Sequence, residues 1–352
     1  MDLQKVLKQY DYQLPAALIA QKPSRPRDAA RLLVFGLRDK KTKFDTFKNL
    51  GRHLPKNAVL VFNQTKVWPA RLEVIKPTGG KARLLYISHD DKFIKMLSDR
   101  PLPVNNFVEL CRTYEKIQQL KVIKKSKQFY YLKPSFPISQ ILSVLKTYGL
   151  TPLPPYIKNS PLTEKQRREQ YQTVFAKTGL SVAAPTASLH FTKELIKSLG
   201  RQGIDIRFIR LDVGLGTFTP LRDDNLKTGK LHREFYSIDN KTAAFLDNAK
   251  KQGRPIIAVG TTTLRTLESA FKNHRQVGQE PALQGNTDLF IQSGYKFNFI
   301  DGLITNFHVP KSSLLMLVSA LTGREKILEL YEKAIKKRFR FFSFGDGMVI
   351  LP

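Results

Sequence analysis

Three stretches of the chain place uncharged polar residues directly after an apolar run, a pattern typical of a buried strand, a turn and a helix start. They are 212–221 (DVGLGTFTPL), 258–269 (AVGTTTLRTLES) and 304–320 (ITNFHVPKSSLLMLVSA). In α/β folds, small-molecule sites form where the carboxyl ends of strands meet the amino ends of helices. Helix amino ends present free N–H groups and a partial positive charge. The C-terminal half is therefore predicted to bind a small polar molecule that carries a carboxylate or a phosphate.

The stretch 258–269 is the best candidate for binding an anion. Thr261, Thr262 and Thr263 supply hydroxyl and N–H groups at a helix start, where an anion is stabilised. Arg265 lies one turn further along and can pair with a carboxylate through two hydrogen bonds. The alternative is an ordinary threonine cap, with the arginine in solvent.

Two glycines, Gly214 and Gly216, lie in a stretch that resembles half of a dinucleotide-binding fingerprint. The third glycine is missing and Pro220 follows where a helix would begin, so the pattern is weak support for NAD or FAD. We expect the two glycines to permit a tight turn or the close approach of a ligand to the backbone.

Several side chains are candidates for acid–base chemistry. His232 and Glu234 are two residues apart, so on a strand they would face one side and form an acid–base pair; the alternative is a solvated strand edge. His190 and His308 lie in apolar contexts, where a histidine is either functional or a packing residue. Asp346 lies between two glycines, which suits a ligand hydroxyl, an RNA-proximal turn or a plain β-turn.

No metal site is predicted. The histidines lack the HExxH spacing of a zinc site, and the one cysteine, Cys111, forms no cluster. A single cysteine also excludes a disulfide within the chain and fits a reducing compartment. The chain has no GxSxG or Walker A motif, which argues against nucleophilic hydrolysis and P-loop ATP use.

The charge balance is strongly basic, with 59 Lys and Arg against 29 Asp and Glu, a net charge of +30. Such a charge indicates a polyanionic partner, nucleic acid first and a membrane surface second; the alternative is a general lysine bias without a partner. Basic residues alternate with aromatic ones at 125–133 (KSKQFYYLK) and 336–342 (KKRFRFF). Lys and Arg would contact phosphates and the rings would stack on bases, or the runs merely alternate between core and solvent.

The chain is expected to be cytoplasmic and to lie outside the membrane. Its first residues lack the apolar segment of a signal peptide. The longest apolar run, at 314–321, is too short to span a bilayer.

The pattern of elements changes along the chain. Between about 73 and 133, apolar residues alternate with Lys and Arg, and turn signals separate the runs, which predicts a small antiparallel barrel or sandwich. After a proline-rich connector at 151–157, strands alternate with helices, which predicts right-handed crossovers and a largely parallel sheet. We predict a discontinuous α/β catalytic domain at 1–70 and 152–352, with an inserted β domain at 71–151.

Taken together, the motifs resemble the S-adenosylmethionine:tRNA ribosyltransferase-isomerase family of queuosine biosynthesis. The resemblance covers nearly the whole chain except about 86–148. The matching blocks, in order, include RDAARLLV, VFNQTKVWPARL, PLPPYI, SVAAPTASLHFT, LDVGLGTFTPL, AVGTTTLRTLES, FNFIDGLITNFHVPKSSLLMLVSAL and RFFSFGDGM.

The resemblance implies a fold and a reaction. The fold would be a main α/β domain plus an inserted small antiparallel β-barrel. The enzyme would transfer and isomerise the ribosyl moiety of S-adenosylmethionine onto 7-aminomethyl-7-deazaguanine at the tRNA wobble position, forming epoxyqueuosine and releasing adenine and methionine. S-adenosylmethionine would be a co-substrate, without a prosthetic group. The partner would be a tRNA with a GUN-type anticodon, and the enzyme a monomer.

The same resemblance suggests roles for the candidate residues. The sulfonium acidifies the adjacent C5′ hydrogens, so one positioned base could form an ylide without a metal; the candidates for base and acid are His232, Glu234, His308 and Asp346. The methionine carboxylate would rest on Thr261, Thr262 and Thr263 with Arg265. The other expected substrate-binding residues are Arg71, His190, Gly214, Gly216 and Asn306.

The chain departs from the family pattern at Gln64, Lys66, Ser188 and Arg233. Arg233 bears most directly on chemistry, because a long cation next to His232 could change its pKa or close the pocket. Two other functions stay open: an S-adenosylmethionine-dependent RNA methyltransferase, which would release S-adenosylhomocysteine, and a tRNA-binding protein that lacks catalysis.

Overall fold

The computed structural model describes residues 2–111, 118–214, 221–272 and 284–352, which form two compact units. The large unit comprises Met1–Lys66, Pro154–Leu162 and Gln170–Pro352. The barrel unit comprises Val67–Leu153 and Thr163–Glu169. Within the described ranges, no helix is both long and apolar enough to cross a membrane.

The α-helices are α1 Leu3–Lys8, α2 Ile141–Tyr148, α3 Glu164–Gln170, α4 Lys193–Arg201, α5 Asp223–Thr228, α6 Asn240–Lys251, α7 Thr261–Ala270, α8 Ser313–Thr322 and α9 Arg324–Lys336. The strands are β1 Arg31–Gly36, β2 Thr42–Thr46, β3 Val59–Asn63, β4 Thr65–Val67, β5 Arg71–Ile75, β6 Lys81–His89, β7 Ile94–Ser98, β8 Phe107–Leu110, β9 Gln119–Ser126, β10 Phe129–Pro134, β11 Thr178–Ser181, β12 Asp205–Leu211, β13 Lys230–Ser237, β14 Ile256–Val259, β15 Gln284–Leu289, β16 Gly302–Asn306 and β17 Gly347–Leu351.

The large unit is built on a nine-stranded mixed sheet in the order β15-β13-β12-β3-β14-β16-β17-β1-β2. Its central strands β12, β3, β14 and β16 are parallel to one another, and β1 is parallel to β17. The pairings of β16 with β17, β1 with β2, β12 with β13 and β13 with β15 are antiparallel. The predicted α/β class with an inserted antiparallel barrel is confirmed. The sheet is mixed rather than largely parallel, because four of its eight strand pairings are antiparallel.

Both faces of the central sheet are buried. Leu33 and Phe35 of β1 belong to one apolar cluster, whereas their neighbours Leu32 and Val34 belong to the other. All five residues of β3 are buried, which explains its unbroken apolar run. Because the four central strands share one direction, their carboxyl ends lie along the same edge of the sheet.

The barrel unit is a closed barrel in the order β10-β7-β6-β5-β8-β9, and all its pairings are antiparallel. Burial alternates along β6, where Ala82, Leu84 and Tyr86 are buried between more exposed residues. The unit also includes 163–169, beyond the segment expected from the sequence. Glu164 explains this, because its Oε1 accepts hydrogen bonds from the N–H and the hydroxyl of Thr151, both at 2.8 Å.

Candidate active site

A cavity lies at the carboxyl edge of the central strands in the large unit. The residues that follow β12, β14 and β16 contribute to its wall, as do the segments around 154–156, 183–187 and 342–343. The lining residues are Pro154, Tyr156, Tyr171, Ala183, Ala184, Pro185, Thr186, Ala187, Val213, Gly260, Thr261, Thr262, Arg265, Thr305, Asn306, Phe307, His308, Val309, Leu314, Phe342 and Ser343. Two of the three stretches singled out in the sequence thus meet at one site, joined by Val213 from the third.

The amino end of α7 opens onto this cavity. Gly260 adopts a φ of 93° between β14 and α7, and no side chain caps the helix. Thr261 and Thr262 line the cavity, so the first turn of the helix presents N–H groups to it. Thr263 is different: it is fully buried, and its hydroxyl donates to the carbonyl of Val259 at 2.9 Å. Its side chain therefore holds the helix onto the strand.

Arg265 is buried beside this helix end with one group unsatisfied. Its Nε donates to the carbonyl of Leu289 at 3.0 Å, and its Nη1 donates to Oε2 of Glu234 at 2.5 Å. Its Nη2 is buried and has no hydrogen-bond partner among the described residues. A buried guanidinium N–H without a partner is costly, so a bound acceptor is the natural complement of this atom.

Glu234 is a structural partner of Arg265 rather than a free base. Only 3% of its side chain is exposed, and its Oε1 accepts a hydrogen bond from the N–H of Gly214 at 3.0 Å. Glu234 therefore fixes both the guanidinium and the backbone that follows β12. Gly216 lies outside the described residues.

The expectation that His232 and Glu234 face one side of a strand is wrong. The pairing of β13 with β15 shifts register between Lys230 and Glu234, and His232 is exposed whereas Glu234 is buried. Such an irregularity turns successive side chains away from strict alternation. The side chain of Arg233 is 77% exposed and lies 3.9 Å from the carboxylate of Asp288, and Arg233 does not line the cavity.

His308 lines the cavity and is held firmly. Its Nε2 lies 2.8 Å from the hydroxyl of Thr305, its N–H donates to the hydroxyl of Tyr331 at 2.8 Å, and its carbonyl accepts from Tyr12 at 2.5 Å. Burial lowers the pKa of the His308 imidazole to about 3. The ring is therefore neutral at physiological pH.

His190 lies next to the cavity wall and orients Asn306. The Asn306 Nδ2 lies 3.2 Å from Nε2 of His190, while its Oδ1 accepts from the hydroxyl of Thr186 at 2.7 Å. Burial, and then the charges of Arg340 and Arg27, lower the pKa of His190 to about 3. A neutral His190 can accept the hydrogen bond of the Asn306 amide, and Asn306 itself lines the cavity.

Asp346 is engaged with the backbone outside the cavity lining. Its Oδ1 accepts from the N–H of Arg31 at 3.0 Å and its Oδ2 accepts from the N–H of Arg340 at 2.8 Å. These bonds tie down the turn that carries Phe342 and Ser343 into the cavity wall. Arg71, in the barrel unit, donates from Nη2 to the carbonyl of Leu153 at 3.1 Å.

The structure adds aromatic residues that the sequence reading did not single out. The rings of Tyr156 and Phe342 are 4.8 Å apart, and the Tyr156 hydroxyl lies 2.6 Å from the hydroxyl of Ser343. Phe342 has a φ of 69°, an uncommon conformation for a bulky residue that is typical of functional sites. Both residues lie in motifs that match the family, PLPPYI and RFFSFGDGM, and these motifs could have indicated them from the sequence.

No group of three or more His, Cys, Asp or Glu side chains that could hold a metal ion occurs in the described part of the chain. The cavity is lined by imidazole, hydroxyl, amide and guanidinium groups.

Comparison with known proteins decides the family. The model of the family described as queuosine biosynthesis protein matches residues 7–350. The chain belongs to this family. The predicted resemblance is thereby confirmed, and the match of the family model also spans 86–148, which the resemblance did not cover.

Curated relatives and a solved structure agree with the assignment. A protein from Carboxydothermus hydrogenoformans is 42% identical over 98% of this chain and 99% of its own length, and one from Aquifex aeolicus is 40% identical over 98% and 99%. Both are named S-adenosylmethionine:tRNA ribosyltransferase-isomerase. The crystal structure of S-adenosylmethionine tRNA ribosyltransferase from Thermotoga maritima matches with a TM-score of 0.55 and 29% identity, over 97% of this chain and 100% of that one. The prediction that the chain is an enzyme of this family is confirmed.

Proposed function

We propose that this enzyme transfers the ribosyl moiety of S-adenosylmethionine onto 7-aminomethyl-7-deazaguanine at the wobble position of tRNA. The ribosyl group rearranges to the epoxycyclopentanediol of epoxyqueuosine, and adenine and methionine leave. The proposal combines the names of the relatives with the chemistry of the cavity.

The main support for this proposal is that the buried Nη2 of Arg265 has no hydrogen-bond partner among the described residues. S-adenosylmethionine bears a carboxylate, which is the acceptor that a guanidinium and a helix amino end both favour. Arg265 contributes a fixed positive charge, because Glu234 and the carbonyl of Leu289 hold its other nitrogens. Thr261 and Thr262 contribute the free N–H groups of the first turn of α7.

The other walls of the cavity suit the rest of the reaction. Tyr156 and Phe342 provide aromatic surface for a purine or deazapurine ring, a contact that stabilises bound bases. His308 lines the cavity, and we assign to it removal of the C5′ proton next to the sulfonium. His232, Glu234 and Asp346 are weaker candidates for this role, since the first is exposed and the other two are bound to the protein.

The polyanionic substrate is a tRNA, and the net charge of +30 suits its phosphates. We expect a GUN-type anticodon, because the acceptor base replaces guanine at the wobble position. The enzyme is expected to work as a monomer, with S-adenosylmethionine as a co-substrate and without a prosthetic group.

A product assay tests the proposal. The purified chain is mixed with S-adenosylmethionine and tRNA that carries 7-aminomethyl-7-deazaguanine, and the small products are measured by mass spectrometry. Adenine and methionine should form only with the modified tRNA. S-adenosylhomocysteine instead would identify a methyltransferase, and tRNA binding without any product would identify a binding protein.

A further inference from the structure

One face of the barrel unit combines solvent-accessible lysines with aromatic rings. It lies on the outer side of β7, β8, β9 and β10, whose alternate residues fill the barrel interior. We call it the lysine–aromatic face and define it by Lys95, Phe107, Lys121, Lys124, Tyr131 and Lys133. None of these residues lines the cavity of the large unit.

The register of the strands arranges these residues in two rows. Tyr131 of β10 lies opposite Lys95 of β7 on one side and opposite Lys124 of β9 on the other. Lys121 of β9 lies opposite Lys133 of β10 and opposite Phe107 of β8. Side chains directly opposite on neighbouring strands are close enough to interact, so each ring is flanked by at least one ammonium group.

The contacts confirm that rings and charges are interleaved. The Nζ of Lys124 lies 4.9 Å from the ring centroid of Tyr131, and the Nζ of Lys121 lies 5.7 Å from that of Phe107. Phe107 is 47% exposed, although it is a large apolar side chain. Next to Tyr131 on β10, the ring of Phe129 lies 4.1 Å from the Nζ of Lys95.

This face is rich in positive charge. Lys121 and Lys133 are directly opposite each other, an arrangement that destabilises a sheet. Within the described ranges, none of the four lysines forms an ion pair with a carboxylate. Glu109, the acidic neighbour on β8, accepts a hydrogen bond from Gln119 at 3.1 Å. The segment 67–153 as a whole carries 15 Lys and Arg against 6 Asp and Glu.

We propose that the lysine–aromatic face binds the tRNA, with the lysines on backbone phosphates and the rings of Tyr131 and Phe107 against unpaired bases. Surfaces that bind single-stranded nucleic acid combine the same two features, a positive track along the backbone and rings on which bases stack. A folded protein partner would instead favour a face with fewer unpaired lysines, because lysine is depleted at protein interfaces. The inference rests on the proposed function, which supplies a tRNA as the substrate.

Binding measurements with matched variants test this surface. Fluorescence anisotropy with labelled tRNA gives the Kd at several salt concentrations for the full chain and for a variant with Lys95, Lys121, Lys124 and Lys133 each changed to Gln. Each lost phosphate contact lowers the slope of log Kd against log salt by roughly 0.7 to 0.9, so the slope should fall by about 3. The matched control changes Lys5, Lys8, Lys193 and Lys197 to Gln, which removes the same charge from exposed positions on α1 and α4.

A second variant separates stacking from charge. Tyr131→Ala should raise the Kd for tRNA by about tenfold while leaving the salt slope unchanged, since a ring contributes stacking and no charge. Thermal melting of each variant checks that the barrel stays folded.

The outcomes distinguish this inference from the proposed function. If the wild type binds tRNA but the lysine variant and its control lose the same affinity and the same salt slope, the proposed binding surface is wrong and the proposed function is unaffected. Equal affinity for tRNA and for duplex DNA of similar charge, with no effect of Tyr131→Ala, would show that the face binds any polyanion. This result would also contradict the proposed tRNA-binding surface. Absence of wild-type tRNA binding at low salt would contradict both.

Discussion

At the scale of single residues, Arg265 unites the clearest features of the candidate site. It lines the cavity, is buried, and leaves its Nη2 without a hydrogen-bond partner among the described residues. Glu234 holds the guanidinium in place, which removes the cost of ordering it when a ligand binds. We propose that the ion pair holds the guanidinium in place and that Nη2 donates a hydrogen bond to the carboxylate of the substrate.

Arg265→Lys should raise the KM for S-adenosylmethionine by on the order of tenfold or more, because a hydrogen bond to a charged group contributes about 1.5 to 3 kcal/mol. Lysine retains the charge opposite Glu234 but cannot also supply the second nitrogen. Steady-state kinetics with saturating modified tRNA measures the effect. Arg254→Lys is the matched control, because Arg254 pairs with Asp205 at 2.5 Å outside the cavity lining. An unchanged KM in a folded Arg265→Lys enzyme would remove Arg265 from the binding site.

At the scale of elements, the turn between α9 and β17 positions the aromatic wall of the cavity. Asp346 accepts backbone hydrogen bonds from Arg31, at the start of β1, and from Arg340, at the start of the turn. The turn in between carries Phe342 and Ser343, and Phe342 adopts its unusual φ there. Asp346 thus acts on the cavity through the backbone.

Asp346→Ala should lower the free energy of unfolding by about 3 kcal/mol, because it leaves two backbone donors without their acceptor. It should also raise the KM for S-adenosylmethionine, since Phe342 and Ser343 lose their support. Chemical denaturation and kinetics at low temperature measure the two effects. The control is Asp239→Ala, which removes only the cap of α6, where Asp239 accepts from the N–H of Thr242 at 2.9 Å, and should cost about 1 kcal/mol without changing the KM. A loss of kcat in Asp346→Asn, with stability and KM intact, would instead support a catalytic carboxylate.

The sequence predicted those elements whose signal is local. The continuous apolar run of β3 reflects burial on both faces of the sheet. The alternation in β6 reflects burial on one face only. Each pattern can therefore be recognised from the residues of the strand itself. The helix start at Thr261 followed from the polar cluster after β14 in the same way.

Features that depend on distant partners could not be predicted. The separation of His232 from Glu234 depends on how β13 pairs with β15. The hydrogen bond from the N–H of Arg31 to Asp346 joins residues 315 positions apart, so this partner could not be predicted from the local sequence around Asp346. The pairing of Arg265 with Glu234 across 31 positions was hidden for the same reason.

At the scale of the whole molecule, two buried neutral histidines make the fold sensitive to acid. The folded state keeps the pKa of His190 and of His308 at about 3, against a value near 6.5 for an unfolded histidine. Below pH 6.5 these two histidines therefore bind protons in the unfolded chain but not in the folded chain. Their contribution to the free energy of unfolding is fully present above this pH and is lost progressively as the pH falls towards 3.

Between pH 7.5 and 5.5, each of these histidines should lower the free energy of unfolding by roughly 1.4 kcal/mol. Urea denaturation at the two pH values measures the loss. His308→Asn should remove about half of the pH-dependent part, whatever its effect on the stability at pH 7.5. A free energy of unfolding that stays constant over this range would show that the two imidazoles are not held neutral.

The fate of the ribose carbons tests the central claim most directly. The enzyme is incubated with modified tRNA and S-adenosylmethionine labelled with ¹³C in every ribose carbon, and then in a second reaction with the label only in the methyl group. The tRNA is digested and its nucleosides are analysed by mass spectrometry. We predict that all the ribose label enters the wobble nucleoside and that no methyl label does. Methyl label in the tRNA, or an unlabelled wobble nucleoside after adenine release, would contradict ribosyl transfer.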